Sequence, residues 1–476
     1  MAKEYRTPGV YVEEISKFPP SIAAVETAIP AFIGYTCMAV NGSETIDKPF
    51  RITSLLEFEQ HFGGAFPEDK AFAIQITDAT DSSDVLLSRT IQVSFSRSAI
   101  SPYNLYYALQ QYFNNGGGPC YIVPAGTCVS EGDIDAEELG DALKLLEEVD
   151  EPTLILIPEA VNLAESGVYY NLMETALKQC SDLGDRFTII DVFPDQGTLR
   201  SDIETLRNTI SNDLGQIKYG AAYYPFIETF QSYAVDPQLP VTHVVNKQGA
   251  TEPLTGPYTS LALLKAGNPQ VYAQVAAELK KYTVHLPPSP FIAGVYARVD
   301  NERGVWKSPA NASLSGVKRL LNPITNDDNN FMNVDPGSGK SVNAIRFFTG
   351  RGMLVWGART LAGNDAEWKY VNVRRFFNFA EESIKKGTER FVFEPNDANT
   401  WVKVKAMIEN FLTNQWRAGA LAGAKPEDAF FVKVGLGQTM TAQDILDGKL
   451  IIEIGMAVVR PAEFIILRFS HKMQQS

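Results

Sequence analysis

Residues 343–379 read NAIRFFTGRGMLVWGARTLAGNDAEWKYVNVRRFFNF, and this stretch decides how the rest of the chain is interpreted. Apolar runs at 344–348 and 353–356 predict two short buried strands. Gly350 and Gly352, which lie between the runs, permit the left-handed backbone that a tight connection needs. Apolar residues then recur every three or four positions, which predicts one face of a helix: Tyr370, Val373, Phe377, Ala380 and Ile384.

This strand–loop–helix unit contains no histidine, cysteine or serine, so it offers no obvious catalytic group. Upstream of it, from about residue 102 to residue 224, apolar strand-like segments alternate with helix-like segments. Such alternation is typical of a parallel sheet that is covered by helices on both faces. The sequence therefore predicts an α/β core with a largely parallel sheet, followed by a C-terminal α+β domain. It also predicts a loop-rich connection from Pro287 to Pro309, an exposed polar loop at 322–340 and a helix near 397–418 that Asn396 or Asp397 caps.

Several long motifs resemble those of one known family. They are GRGMLVWGART at 350–360, WKYVNVRR at 368–375, FEPND at 393–397, PGVYVEEI at 8–15, GVYARVDNERGVWKSPAN at 294–311 and IEIGMAVVRPAEFI at 452–465. Through these motifs the chain resembles the contractile tail sheath proteins of phages, R-type bacteriocins and extracellular contractile injection systems. The resemblance is strong from about residue 280 onward and at the N-terminal tip, and it is weak between about 40 and 280. It implies a subtilisin-like topology for the α/β core.

The pattern and the resemblance together divide the chain into five parts. We expect an N-terminal donated arm at 1–20, an N-terminal segment with a variable surface insertion at 21–101, an α/β core at 102–342, a C-terminal α+β assembly domain at 343–459 and a C-terminal donated arm at 460–476.

Each end of the chain carries a predicted strand without an obvious local partner. A lone terminal strand cannot fill its own backbone hydrogen bonds, so it must join a sheet of the same chain or of a neighbour. The family resemblance implies exchange between subunits. The N-terminal strand consists of Val10, Tyr11, Val12, Glu13, Glu14 and Ile15, and the C-terminal strand consists of Phe464, Ile465, Ile466, Leu467, Arg468 and Phe469. We expect both strands to join a sheet built on 430–434 and 450–459 of neighbouring subunits.

The resemblance also implies a function and a set of partners. Such a subunit polymerises with itself as stacked hexameric rings around an inner tube protein, with baseplate and terminal cap proteins at the ends. Contraction then drives the tube through a target cell envelope. The particle would be assembled in the bacterial cytoplasm and would form a virion tail or an extracellular contractile particle.

Charge is distributed unevenly along the chain. Residues 340–476 hold 19 Lys and Arg against 14 Asp and Glu, whereas the whole chain has a net charge of −14. In the family the C-terminal region faces the tube, so the predicted helix at 397–418 offers Lys403, Lys405 and Arg417 as candidate tube contacts. The alternative is that these three cations are solvated helix residues or meet neighbouring sheath subunits.

Composition excludes several other classes of protein. The net charge of −14 argues against nucleic acid as the main partner. No apolar run is long enough for a membrane span or a signal peptide, so we expect neither direct membrane insertion nor Sec export. The four cysteines, which are Cys37, Cys120, Cys128 and Cys180, show no paired spacing, and reduced buried thiols are favoured over disulfides.

No motif for catalysis, cofactor binding or metal binding is complete. Gly337–Ser341 resembles the end of a phosphate-binding loop, but Val334 stands where that motif needs a glycine. The four histidines are dispersed, and none has the surroundings of a protease triad or a zinc site. The sequence thus favours a structural protein without catalytic residues, cofactor or metal. The alternative is a non-contractile shell or binding module.

Overall fold

The computed structural model describes residues 21–130, 132–195 and 197–468. These residues form two compact units. The larger unit contains residues 26–379 and 460–468, and the smaller unit contains residues 21–25 and 380–459. The boundaries of the five predicted parts stay predictions.

The strands of the described residues are numbered in chain order. They are β1 (Pro30–Thr36), β2 (Val40–Asn41), β3 (Glu44–Thr45), β4 (Phe50–Ile52), β5 (Phe72–Thr80), β6 (Leu86–Phe95), β7 (Cys120–Thr127), β8 (Leu154–Leu156), β9 (Phe187–Asp191), β10 (Gly220–Tyr224), β11 (Ile227–Ser232), β12 (Val241–Lys247), β13 (Leu254–Thr255), β14 (Thr283–Leu286), β15 (Ala312–Ser313), β16 (Val317–Leu320), β17 (Val342–Phe348), β18 (Gly352–Val355), β19 (Phe430–Val434) and β20 (Ile452–Met456).

The α-helices are numbered in the same way. They are α1 (Leu55–Phe62), α2 (Leu105–Asn114), α3 (Ala136–Leu145), α4 (Ser166–Leu183), α5 (Leu199–Thr209), α6 (Leu214–Ile217), α7 (Leu261–Gly267), α8 (Pro269–Leu279), α9 (Ser289–Arg303), α10 (Asn326–Asn333), α11 (Val371–Thr388), α12 (Ala398–Arg417), α13 (Pro426–Ala429) and α14 (Ala442–Leu446). Short 3-10 turns occur at Arg97–Ala99, Leu146–Glu148, Ala160–Asn162 and Glu389–Phe391.

A large mixed sheet forms the centre of the larger unit. Within the described residues its strand order is β15-β18-β17-β10-β9-β8-β1-β7-β4. The six strands from β17 to β7 in this order pair in parallel, and antiparallel strands complete both sides. The prediction of an α/β core with a largely parallel sheet is confirmed.

Apolar side chains cover both faces of this sheet. Along β1, Phe32 packs into one apolar cluster, whereas Ala31 and Ile33 pack into the other. The first cluster takes in residues of α2 and α9, and the second takes in residues of α3, α4 and α5. Because successive side chains of a strand point to opposite faces, this alternation places a core on each side of the sheet.

Besides the short hairpin of β2 and β3, two smaller sheets also belong to the larger unit. One has the order β13-β12-β5-β6, and it contains the long antiparallel hairpin Phe72–Thr80 and Leu86–Phe95. This hairpin lies in the segment that the sequence predicted as a surface insertion. The other has the order β14-β11-β16.

Helix α9 corrects one sequence-based expectation. The sequence predicted a loop-rich connection from Pro287 to Pro309, but Ser289–Arg303 forms a helix. The helix begins with a proline in its first turn, where the missing N–H costs nothing. Its residues from Ser289 to Ala297 are all buried, so they show no amphipathic stripe, and the pattern that usually indicates a surface helix is lacking.

A second correction concerns the polar stretch at 322–340, which the sequence predicted as an exposed loop. Asn326–Asn333 forms helix α10, which begins with a capping box between Thr325 and Asp328. Lys340 is fully buried. Its Nζ donates to the backbone carbonyl oxygens of Arg207, at 2.6 Å, and Ile210, so the side chain caps the end of helix α5.

The smaller unit is built around helix α12. Of the two N-cap candidates in the sequence, Asn396 and Asp397, the structure has Asp397, whose side chain accepts the Thr400 N–H at 2.9 Å. One face of the helix is buried, at residues spaced by three and four: Thr400, Val404, Met407, Ile408, Phe411 and Leu412. Strands β19 and β20 complete this α+β unit.

Candidate assembly surfaces

The sheet of the smaller unit has two strands among the described residues. Phe430–Val434 pairs antiparallel with Ile452–Met456 through five residue pairs. Val432 faces Ile454 and Val434 faces Ile452, which gives the sheet one apolar face. Each strand is paired on one side only, and a two-stranded sheet is marginal by itself, so both outer edges can accept further strands.

The other face of this sheet is polar around one aromatic ring. Phe431 faces Gly455, where the absence of a side chain leaves room for the ring to lie across the strand. Lys433 Nζ lies 4.5 Å from the centroid of that ring and 3.6 Å from Glu453 Oε1. Gly455 belongs to the motif at 452–465. The glycine of this motif therefore leaves the space that the Phe431 ring occupies.

The chain from 460 to 468 forms no strand within the described part of this chain. The side chains of Phe464, Ile465, Ile466 and Leu467 are 70%, 81%, 76% and 72% exposed, respectively. Four consecutive exposed apolar residues are costly in water unless a partner covers them. Four apolar residues of the predicted strand are therefore exposed and accessible to a partner. Phe469 lies outside the described residues.

Glu463 anchors this exposed segment to the larger unit. Arg359 Nε and Nη2 donate to the two carboxylate oxygens of Glu463 at 2.8 and 2.5 Å, and the Tyr370 hydroxyl donates at 3.2 Å. Burial raises the pKa of Glu463, but the hydrogen bonds from Arg359 outweigh burial and hold this pKa below its usual value. The chain is therefore fixed immediately before its exposed apolar run.

The residues of this anchor lie in three of the family motifs, but the sequence alone does not show that they meet. Arg359 lies in GRGMLVWGART, Tyr370 lies in WKYVNVRR, and Glu463 lies in the motif at 452–465. A charged residue inside an apolar motif was the available signal. Its partner could not be deduced, because more than a hundred residues separate Arg359 from Glu463.

The N-terminal strand Val10–Ile15 lies outside the described residues, and its donation stays a prediction. The chain that follows it is described from residue 21. In the smaller unit, Ile22 is buried against Gly387, where any added Cβ would lie 2.7 Å from the Ile22 side chain. The Val25 N–H donates to Ser383 Oγ at 3.1 Å. Residues 21–25 are thereby held on helix α11.

A buried ion pair fixes the next residues in the larger unit. Arg375 Nη2 donates to Asp300 Oδ2 at 2.6 Å and to the Thr27 carbonyl oxygen at 2.8 Å. Both charged side chains are 3% exposed, and Arg375 also lies over the Tyr296 ring. Asp300 and Arg375 belong to the motifs at 294–311 and 368–375, so these two motifs meet in space.

The three candidate tube contacts lie on helix α12. Lys403 and Arg417 are exposed, and Lys405 is half-buried. Lys405 Nζ lies 3.7 Å from Glu409 Oε1, one helical turn further along. These positions leave the cations of Lys403 and Arg417 accessible to a partner.

Two of the four histidines, His243 and His285, lie in well-defined structural surroundings. His243 stacks on Tyr258, and its Nε2 lies 3.0 Å from Asp78, which also pairs with Arg89. Burial lowers the pKa of His285 to about 4, so its imidazole is neutral at pH 7. Among the described residues, no group of three or more His, Cys, Asp or Glu side chains is placed to hold a metal ion. No described helix is both long and apolar enough to span a membrane.

Comparison with known proteins gives consistent matches. Residues 364–472 match the C-terminal domain of phage tail sheath proteins. The chain is 32% identical to the helical sheath of the anti-feeding prophage in its contracted state, over 98% of this chain and 100% of that one, with a TM-score of 0.63. It is 26% identical to a chain of the contracted anti-feeding prophage baseplate, over 97% of both chains, with a TM-score of 0.68.

Phage proteins match over a shorter region. The tail sheath protein of Burkholderia phage BcepMu is 30% identical over 144 residues, which are 29% of this chain and 30% of that protein. The chain spans between 19% and 44% of the length of the curated relatives that it matches. The similarity to those relatives is therefore confined to part of each protein.

Proposed function

Since the chain belongs to the contractile tail sheath protein family, we propose that it polymerises as stacked hexameric rings around an inner tube, and that contraction of these rings drives the tube through a target cell envelope. The chain is a structural subunit of a contractile sheath. We also propose that the sheath is assembled in the bacterial cytoplasm and is then released as part of an extracellular or virion particle.

One observation carries the proposal: the described part of the chain has both an incomplete sheet and an unpaired apolar segment. Among the residues that the structure describes, the sheet of β19 and β20 has two open edges, and Phe464–Leu467 is exposed directly after a fixed anchor. A strand from one subunit would satisfy the backbone groups of an edge strand in the next subunit. We propose that 464–469 and 10–15 are these donated strands.

Strand donation fits a contractile assembly for a mechanical reason. Subunits that rotate against each other as rigid bodies stay in one assembly only if flexible links keep them connected. The Arg359–Glu463 and Arg375–Asp300 pairs fix the chain near both arms, so the arms themselves would carry the movement. The larger unit, built on a subtilisin-like core, would move as one body.

Partners follow from the relatives. Those relatives are described as sheath complexes and as baseplate chains, which supports self-assembly and contact with a baseplate. An inner tube and a terminal cap complete the proposal. The alternative, a non-contractile shell, would form cylinders that do not shorten, so the length of the particles before and after triggering separates the two functions.

Truncation of the arms tests the proposal. Deleting residues 1–20, or residues 464–476, should leave a folded subunit that forms no cylinders under negative-stain microscopy, because the acceptor edges stay empty. The matched control deletes residues 470–476, which lie beyond the predicted strand, and should form cylinders like the full chain. Normal cylinders from either arm deletion would refute strand donation.

Charge reversal tests the proposed tube contact. Replacing Lys403, Lys405 and Arg417 with Glu should prevent sheath growth on tubes, because repeated weak attractions to acidic tube groups become repulsions. Each exposed pair contributes only about 0–1 kcal/mol, so the effect depends on many copies along the cylinder. Tube-free polymerisation of the same variant is the control and should persist. If growth on tubes survives at low salt, where charges are least screened, these cations do not face the tube.

A further inference from the structure

Two cysteines lie side by side at the ends of neighbouring parallel strands. Strand β1 ends at Thr36 and strand β7 ends at Thr127, and these two residues are paired in the register. Cys37 directly follows strand β1, and Cys128 directly follows strand β7. The Cys128 N–H donates to the Thr36 carbonyl oxygen at 3.0 Å. Adjacent strands are about 4.8 Å apart, which lies within the Cα separation of about 4.4–6.8 Å that disulfides require.

The two thiols also line one small cavity and affect each other's ionisation. The interaction with Cys128 lowers the pKa of Cys37, despite partial burial, and the interaction with Cys37 raises the pKa of Cys128. Cys37 is therefore the better nucleophile of the two, and Cys128 is placed to react next.

The other two cysteines differ from this pair in burial and in thiol pKa. Cys120 and Cys180 are fully buried, and burial raises the pKa of each thiol well above its usual value. Cys37 and Cys128 are only half-buried. A small oxidant can therefore reach the paired thiols more readily than the two buried ones.

We propose that Cys37 and Cys128 form an intramolecular disulfide when the protein meets an oxidising environment. The bond rests on the geometry of β1 and β7 alone. Its timing, after release of the particle from a reducing cytoplasm, rests on the proposed function. All four thiols are free in this structure, which describes the reduced state of the pair.

The oxidant would be a small-molecule disulfide such as glutathione disulfide. The Cys37 thiolate attacks one sulfur of that molecule, forms a mixed disulfide and releases one small thiolate, which takes up a proton. Cys128 then loses its proton, and its sulfur attacks the Cys37 sulfur and releases the second small thiol. Two protein thiols lose two electrons in total, and the small disulfide gains them.

The bond would close a loop that contains much of the N-terminal part of the larger unit. Between Cys37 and Cys128 lie the β5–β6 hairpin and helices α1 and α2. Closing a long loop restricts the unfolded chain more than the folded one, so the bond stabilises the fold. We expect the melting temperature to rise by about 5 °C on oxidation.

The test uses the full-length protein, treated either with glutathione disulfide or with dithiothreitol. After denaturation and alkylation, the oxidised protein should show two alkylated cysteines, Cys120 and Cys180, and peptide mapping should show a Cys37–Cys128 link. The Cys37→Ser and Cys128→Ser variants should show no such link and no rise in melting temperature, whereas Cys180→Ala should behave like the unsubstituted protein.

Three outcomes would overturn the proposal. The oxidised protein could retain four alkylatable cysteines, could carry glutathione adducts without a link, or could form a link through Cys120 or Cys180. If the serine variants fail to fold, peptide mapping of the unsubstituted protein still decides the question, because it detects the Cys37–Cys128 bond directly.

Discussion

Two fully buried carboxyl groups, Glu159 and Asp191, hold helix beginnings in place. Glu159 accepts the N–H groups of Tyr35 and Leu105 at 2.7 and 2.8 Å. Asp191 accepts the N–H and the hydroxyl of Ser289, the first residue of helix α9, at 2.8 and 2.5 Å. Burial raises the pKa of each carboxyl group to about 7, although the hydrogen bonds oppose this rise.

These raised pKa values predict a pH dependence of stability. Between about pH 4.5 and pH 7 the folded state keeps the Glu159 proton that the unfolded state has lost, so stability falls as pH rises through this range and levels off above it. The loss for Glu159 is on the order of 3 kcal/mol. His285, whose pKa is lowered to about 4, acts in the opposite direction between about pH 4 and pH 6.5.

Comparison with a variant isolates the contribution of Glu159. Glu159→Gln removes the titration of Glu159 and leaves that of His285. The unsubstituted protein should therefore lose more melting temperature between pH 5.5 and pH 8 than the variant does. The prediction fails if the difference in melting temperature between the two proteins is the same at both pH values.

Residue-level chemistry was the part that the sequence predicted least. The spacing of the four cysteines shows no pairing, yet the register of β1 and β7 brings Cys37 against Cys128. Asp300 and Arg375 lie 75 residues apart in sequence and form one buried pair. Such contacts depend on which strands and helices are neighbours, and hydrophobic periodicity does not encode that information.

Elements were more predictable than contacts, for a physical reason. Strands β17 and β18 and helix α11 form as predicted from the pattern at 343–379. Apolar runs indicate buried strands and a spacing of three or four residues indicates a helix face, and both can be recognised in the sequence itself. Asn268 and Pro269 end one helix and begin the next, as N-cap and first-turn residues. Helix α9 was missed because it is buried on all sides, and helix α10 because its polar sequence resembles a loop.

The anchor of the C-terminal segment gives a prediction at this scale. Glu463→Gln leaves the buried Arg359 guanidinium without its carboxylate partner, which should lower the free energy of unfolding by about 2 kcal/mol in chemical denaturation. The freed segment should also reduce cylinder formation. The matched control, Glu278→Gln, breaks an exposed pair with Lys281 and should change stability by less than about 0.5 kcal/mol. Equal effects of the two substitutions would contradict the anchor.

At the scale of the whole molecule, the chain consists of a large α/β unit and a small α+β unit with an incomplete sheet. The sequence predicted the α/β core with its largely parallel sheet, and its long motifs led to the sheath family. Among the described residues, 460–468 form no strand, and residues 10–15 lie outside the described part of the chain. Exchange of the two terminal strands between subunits is the central claim of the proposed assembly.

A cryo-electron microscopy reconstruction of cylinders assembled from the full-length protein tests this claim most directly. Strands β19 and β20 should be flanked by strands 464–469 and 10–15 from neighbouring subunits, which completes a four-stranded sheet. Cylinders in which β19 and β20 keep open edges, or in which both terminal strands pair within their own subunit, would contradict it.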